Sequence, residues 1–371
     1  LERAAAAEVS VGAPEACSRF ADTCDGSVNP PPPVWAAQRA SMRTDVEPAL
    51  PAGFDHFGPP EHPDKYVVLE RIGKGATAQV HKCEAGGRSF AVKTIALAKL
   101  RFRPNYAQIE DMLHQEVAIL LCLRHPRIVA LEDVIEDAST LRLVLELVQG
   151  GGLDERLADR GPLGEPEASS IFAQVADGLS YIHSQGIVHR DLKPDNILLQ
   201  ERQLADGTTV IEVKLADFGH SAVVGDWYGS STSRTGTPLY SAPEVFRPGG
   251  LEQGMEHCMD LWSLGVILYT MLMGMCPFGG GDDPLETEIG KAALSFDGGC
   301  KPPSDVAQNL VRGLLRIEPS ERLPLEWCLA HPFVGASTSD LLRQLLRASG
   351  WCEPVLVEDR YRLPPWTPDA D

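Results

Sequence analysis

Between Ile187 and Leu199 the chain reads IVHRDLKPDNILL, setting His189, Arg190, Asp191, Lys193, Asp195 and Asn196 in one short polar loop between apolar flanks. Burying so many polar groups costs several kcal/mol unless they bind something or one another. The loop is therefore read as a site rather than an incidental charged surface. A second stretch, IGKGATAQV from Ile72 to Val80, spaces Gly73 and Gly75 one residue apart. Ala78 stands where a third glycine would complete G-x-G-x-x-G. Such a loop can cradle phosphates with its backbone N–H groups, but it is also a common tight turn. The glycines alone leave both readings open.

The elements around these residues fall into two textures. Tyr66–Gly73 reads as a short strand with Val67, Leu69 and Ile72 facing inward. AQVHKCEA and RSFAVKTIAL read as two more strands joined at Gly86-Gly87. Helical spacing through Ile109, Leu113, Val117 and Leu120 predicts a helix that stops before Pro126. IVALEDVIED and LRLVLELV are two further strands. The first lobe is thus a small, mostly antiparallel sheet carrying one helix. After Gln149–Gly152 the pattern turns mainly helical. EPEASSIFAQVADGLSYIHSQG has Pro166 in its first turn and Gly186 at its end. Helices are expected at Leu261–Met275, Val306–Leu315 and Leu325–Ala330. The fold class is α+β.

The bulk numbers narrow the partners. The chain has 371 residues and a formal charge of -19, which argues against a general nucleic-acid or anionic-membrane binder. Its nine cysteines are scattered, with no C-x-x-C pair, so reduced intracellular thiols are expected rather than a disulfide framework or a zinc site. The apolar run Leu261–Phe278 contains Ser263, Gly265 and Gly274 and reads as a buried core helix, not a membrane span. Residues 1–64 hold ten of the 29 prolines and lack the basic start and long apolar run of a secretory signal. They read as a disordered Pro/Ala-rich leader. An intracellular, cytoplasmic protein is expected.

IVHRDLKPDNILL matches the H-R-D-L-x-x-x-N catalytic-loop pattern of protein kinases at every fixed position. DFG (Asp217–Gly219), APE (Ala242–Glu244) and FAVK (Phe90–Lys93) follow the family's order and spacing. The resemblance covers roughly residues 66–334. LRHPRIVALEDV, LVLELVQGG, GTPLYSAPEV and LAHPFV make the chain most similar to the calcium/calmodulin-dependent and calcium-dependent Ser/Thr kinases. A bilobal kinase domain at 65–334 is implied, with an N-lobe at 65–148 and a C-lobe at 149–334. A tail with a short helix would occupy 335–371.

The resemblance assigns roles by position. ATP and Mg²⁺ are the implied cofactors. Lys93 would hold the α- and β-phosphates and pair with Glu116, while Asp217 and Asn196 would ligate the metal through hard oxygen atoms. Asp191 would accept or orient the proton of the attacking hydroxyl, Lys193 would neutralise the transferring group, and Thr237 would bond both. Ile72, Gly73 and Gly75 belong to the lid over the nucleotide. Val80 and Ala91 would roof the adenine, Leu198 would floor it, and Glu146 and Val148 would offer it backbone hydrogen bonds. Asp260 resembles the anchor of the catalytic-loop backbone, and Glu244 with Arg322 the family's buried ion pair. Lys193 and Pro194, which tyrosine kinases of this family usually lack, imply Ser/Thr specificity for a protein or peptide substrate.

Arg190 resembles the arginine that awaits an activation-loop phosphate, with Ser233 at the usual offset from Thr237 and Thr232 and Thr235 beside it. An upstream kinase is the implied partner. The sequence departs from the pattern at Ala78, at Gly152, where relatives carry a glutamate that Asp154 or Glu155 would have to replace, and at His220. A pseudokinase scaffold is the alternative, and it normally betrays itself by losing Lys93, Asp191 or Asp217, all of which are present. The tail segment Ser339–Gly350 has Arg343 and Arg347 as its only cations. A calmodulin target is usually more basic, so packing on the large lobe is preferred over calmodulin binding.

Overall fold

The computed structural model describes residues 56–59, 61–63, 65–74, 78–203, 207, 209–224, 237–247, 254–281, 283–297 and 301–337. The leader up to residue 55, Gly75, the candidate phosphosites Thr232, Ser233 and Thr235, and the tail from 338 lie outside them.

The first lobe is an antiparallel sheet. Its strands are β1 (His56–Phe57), β2 (Tyr66–Lys74), β3 (Ala78–Ala85), β4 (Arg88–Ile95), β5 (Leu131–Glu136) and β6 (Leu141–Glu146), in the order β1-β2-β3-β4-β6-β5. Strand periodicity divides its faces. On β4, Phe90 and Val92 join Tyr66, Cys83, Ile135 and Val144 in a small outer cluster, while Ile95 faces the main core with Leu141 and Leu143 of β6. Two helices follow β4 in the chain: the short α1 (Leu97–Leu100) and the longer α2 (Tyr106–Cys122), the latter burying Val117, Ile119 and Leu120.

Three expectations for this lobe need correction. Val67, Leu69 and Ile72 do not form an inward row: Leu69 and Ile72 are exposed, and Tyr66 is the buried residue. Pairing with β3 is irregular between Val68 and Arg71 and again between Arg71 and Gly73, and each irregularity breaks the alternation that the pattern assumes. The lobe carries two helices rather than one, because β4 ends at Ile95 and Leu97–Leu100 turn helical. The sheet also reaches into the Pro-rich leader. Phe57 pairs with Tyr66 in register and stacks on its ring at 5.0 Å.

The second lobe begins with α3 (Leu153–Arg160) and α4 (Glu165–Ser184), followed by β7 (Ile187–Val188), β8 (Ile197–Gln203), β9 (Thr209–Leu215) and β10 (Ala222–Val223). β8 pairs with β9, and β7 with β10. Then come α5 (Cys258–Met273), α6 (Leu285–Lys291), α7 (Asp305–Leu314), α8 (Leu325–Ala330) and α9 (Pro332–Ser337). Every residue of α5 is buried, which explains its membrane-like composition. Among the described residues no helix is long and apolar enough to cross a membrane. α5 and α7 approach closely at Gly265, where an added Cβ would lie 2.8 Å from Leu314 Cβ.

Candidate active site

Lys93 sits on β4 between Val80 of β3 and Leu143 of β6, so three paired strands fix its backbone. Its ammonium lies 2.6 Å from Glu116 Oε1 on α2 and 2.8 Å from Asp217 Oδ1. Burial works against the lysine's charge, but the two carboxylates outweigh it and raise its pKa. Burial likewise opposes the charge of Asp217. The neighbouring Lys93 reverses this and holds the Asp217 carboxyl at about 2, below its ordinary 3.8. Asp217 adopts a left-handed backbone with φ of 59°. The strain of that conformation in a non-glycine residue is of the kind that gathers at functional sites.

The catalytic loop between β7 and β8 hangs from one buried carboxylate. Asp260 of α5 accepts the backbone N–H groups of His189 and Arg190, each at 2.9 Å, and lies 2.8 Å from His183 Nε2. Its full burial favours the neutral acid, yet the bond from His183 and the nearby imidazoles hold its pKa down. The two backbone bonds fix Arg190 at φ 67°.

Asp191 is then held from both sides. Lys193 Nζ donates to its Oδ2 at 2.8 Å and to Thr237 Oγ1 at 3.0 Å. The Thr237 N–H donates to Oδ1 at 3.0 Å. Asn196 Nδ2 donates to the Asp191 carbonyl at 2.8 Å and approaches Oδ2 at 3.3 Å. One carboxylate thus collects an ammonium, an amide and a backbone N–H, which restricts its rotation.

The remaining predicted positions line the same region with different outcomes. Ala91 is buried, and Val80 and Leu198 are half-buried. Leu198 bridges to Gly152, and Leu199 N–H donates to the Gly151 carbonyl at 2.9 Å. The N–H of Glu146 is already given to the Ala130 carbonyl at 2.9 Å, which limits its offer to a ligand to its carbonyl. Among the described residues, neither the N–H nor the C=O of Val148 has a hydrogen-bond partner. Ile72 is 47% exposed at the end of the irregular β2. Ala78 is buried at the start of β3, so its methyl group packs in the core. Glu244 and Arg322 form the expected ion pair, with two N···O contacts of 2.6 Å and almost no exposure.

At Gly152 a Cβ would lie 2.1 Å from Asp154 Oδ1, because the Asp154 side chain folds over that backbone and would have to move to admit one. Glu155 accepts the Gly152 N–H at a long 3.4 Å. Two participants escaped the sequence reading. Lys214 of β9 pairs with Glu146 at 2.8 Å, and His183 supports Asp260. Their partners lie 68 and 77 residues away, so no local pattern marks them.

A small antiparallel lobe, a helical lobe and this arrangement of Lys93, Glu116, Asp191, Asn196 and Asp217 together define a protein kinase. The protein kinase domain model matches residues 66–334, and the chain belongs to that family. It is 36% identical over 277 residues to calcium/calmodulin-dependent protein kinase type 1B of Homo sapiens, covering 74% of this chain and 76% of the relative. It is also 36% identical over 278 residues to death-associated protein kinase 2 of Mus musculus, covering 73% and 72%. Ribosomal protein S6 kinase 2 alpha of Gallus gallus is 36% identical over 278 residues, covering 73% of this chain and 35% of that protein. The chain is a protein serine/threonine kinase.

Proposed function

We propose that this chain transfers the γ-phosphoryl group of ATP to Ser and Thr hydroxyls of a protein substrate, with Asp191 and Lys193 at the hydroxyl and Lys93 and Asp217 at the nucleotide. The observation that carries the reading is Lys93 joined at once to Glu116 and Asp217, at 2.6 and 2.8 Å. Phosphoryl transfer needs alignment and charge neutralisation more than covalent help from the protein. Lys93 offers a fixed cation for the phosphates. Asp191, with its rotation restrained by Lys193 and Thr237, offers a lone pair to the incoming hydroxyl. Lys193 stands within reach of the same point and neutralises charge there.

The residues fit a magnesium ion. Asp217 is 43% exposed and commits only Oδ1 to Lys93. Asn196 spends its amide nitrogen on Asp191, which leaves its side-chain Oδ1 as the atom that would ligate the metal. Both are hard oxygen atoms, suited to a small hard cation. When bound, Mg²⁺ neutralises charge on the β- and γ-phosphates. Val148 supplies the unpaired backbone groups that suit an adenine edge.

Domain limits follow the same reading: a leader at 1–64 whose last part lends His56–Phe57 to the sheet, a kinase domain at 65–334 divided after Val148, and a tail at 335–371. Activation-loop control belongs to it as well. Burial disfavours the charge on Arg190, with Asp260 partly offsetting it, and a phosphate on Ser233, Thr232 or Thr235 would add countercharge. Phosphatase treatment should lower activity, and Ser233→Ala should reproduce that loss. Full activity without phosphate at these positions would sink this part. The tail is assigned to packing on the large lobe. Calcium-dependent capture by calmodulin, lost on removing residues 335–371, would reverse that assignment.

The decisive experiment is transfer of labelled phosphate from Mg-ATP to a generic basic protein, followed by phosphoamino-acid analysis. Labelled phosphoserine or phosphothreonine is expected, with loss of label in Asp217→Ala. An inactive protein that still binds ATP would instead be a pseudokinase scaffold.

A further inference from the structure

His220 follows Gly219 directly, and the phosphotransfer scheme gives it no work. The two residues that follow it are nonetheless tied back toward the catalytic loop. Ser221 N–H closes a turn on the Phe218 carbonyl at 3.0 Å. Ser221 Oγ donates to the His189 carbonyl at 3.3 Å, and Ala222 pairs with Val188 across β7 and β10. These ties on the residues around it aim the imidazole at the loop.

The ring reaches the carboxylate that matters. His220 Nδ1 lies 3.6 Å from Asp191 Oδ2, while the side chain keeps 38% exposure. Nδ1 itself is buried and has no hydrogen-bond partner. Buried polar atoms without partners are uncommon in native proteins, and each calls for a reason. An approach of about half an ångström would bring Nδ1 to an ordinary N–H···O length. Asp191 can receive it. Oδ2 holds one short bond, from Lys193 at 2.8 Å, and one long one, from Asn196 at 3.3 Å. A carboxylate oxygen has room for about two such donors, so the weaker contact can give way. Beyond Gly219 stand Asp217 and Glu116, each with an oxygen 3.3 Å from that residue's ideal Cβ position, and both carboxylates are paired with Lys93.

We propose that His220 is a positioning residue for Asp191. Its Nδ1–H closes onto Oδ2 as the substrate hydroxyl arrives, and so fixes the direction in which the carboxylate presents its lone pair. The inference rests on the assignment of Asp191 to that hydroxyl. Catalytic hydrogen bonds are often long before the reacting complex forms, which suits the 3.6 Å separation.

The test compares His220→Leu, His220→Asn and His220→Gln with the wild type and with Asp191→Asn, using Mg-ATP and a synthetic Ser peptide. Asparagine places its amide nitrogen near the position of Nδ1, whereas glutamine reaches toward Nε2. The Leu and Gln variants should lose about tenfold in kcat, with KM for both substrates unchanged, and Asn should recover most of it. His220→Ala replaces the Leu variant if thermal denaturation shows the latter unfolded. A flat His220 series, an Asn variant no better than Leu, or a loss confined to KM would overturn the inference. Asp191→Asn separates the two failures: if it kept normal turnover, the assignment of Asp191 would fall. If it were inactive beside a flat His220 series, only the role of His220 would fall.

Discussion

Lys93 and Glu116 form a largely buried ion pair, 2.6 Å apart, with side-chain exposures of 17% and 4%. The lysine therefore has two duties. In the proposed reaction it faces the nucleotide, and in the fold it pairs with a carboxylate almost closed off from water.

Removing the lysine should expose both duties. Lys93→Met leaves Glu116 charged and unpaired inside the lobe, a defect of about 3 kcal/mol. Adding Glu116→Gln should return more than half of that stability while turnover stays down by a hundredfold or more, roughly the scale of one lost transition-state contact. Urea midpoints and turnover for the two variants check this. Equal stability of single and double variants would contradict it.

Acid should unfasten the same cluster from the other side. Asp217 titrates at about 2 in the folded protein against an ordinary 3.8. A carboxylate with a depressed folded pKa adds stability above its ordinary value, and that stability is lost as pH falls through the folded one. The wild type should therefore lose stability between about pH 4 and pH 2 more steeply than Asp217→Asn. Denaturation midpoints measured across that window give the comparison. Parallel slopes would contradict the shift.

In the second lobe, Arg322 donates to both oxygens of Glu244 and also to the carbonyls of Cys258, Arg316 and Ile317. A lysine cannot span this fork. Arg322→Lys should thus cost nearly as much as Arg322→Ala, each about 3–5 kcal/mol. Chemical denaturation of the two variants would decide it, and a lysine variant near wild type would refute the fork.

At Gly152 the backbone is extended, with φ of -84°, so a side chain is conformationally allowed there. The obstacle is Asp154 Oδ1, 2.1 Å from the Cβ position. Gly152→Ala should cost about 1 kcal/mol by forcing Asp154 off its rotamer. In an Asp154→Ala background the same change should be nearly neutral. Thermal melts of the four proteins complete the cycle.

The chemistry-bearing residues were legible because they lie in short runs of fixed spacing: Asp191, Lys193 and Asn196 within six positions, and Asp217 opening its own triad. Helices with strong periodicity were legible too. Leu325–Ala330 and the long helix ending before Gly186 appear where expected. The missing features depend on distance or irregularity. Nothing near Lys214 announces Glu146, and nothing near Val67 announces the β2–β3 irregularities that turn Leu69 and Ile72 outward. Phe57 was hidden by its neighbours, since a Pro-rich surrounding suggests no strand.

The backbone of Arg190 keeps its left-handed turn because Asp260, 70 residues further along the chain, accepts its N–H. The loop's chemistry is written locally, but its shape is borrowed from α5. A peptide spanning 187–199 would carry every catalytic side chain of the loop and still lack the means to aim them. Turnover thereby becomes a gauge of the large lobe's folding: in rising denaturant, activity should vanish as α5 leaves the core, whatever remains of the sheet above it.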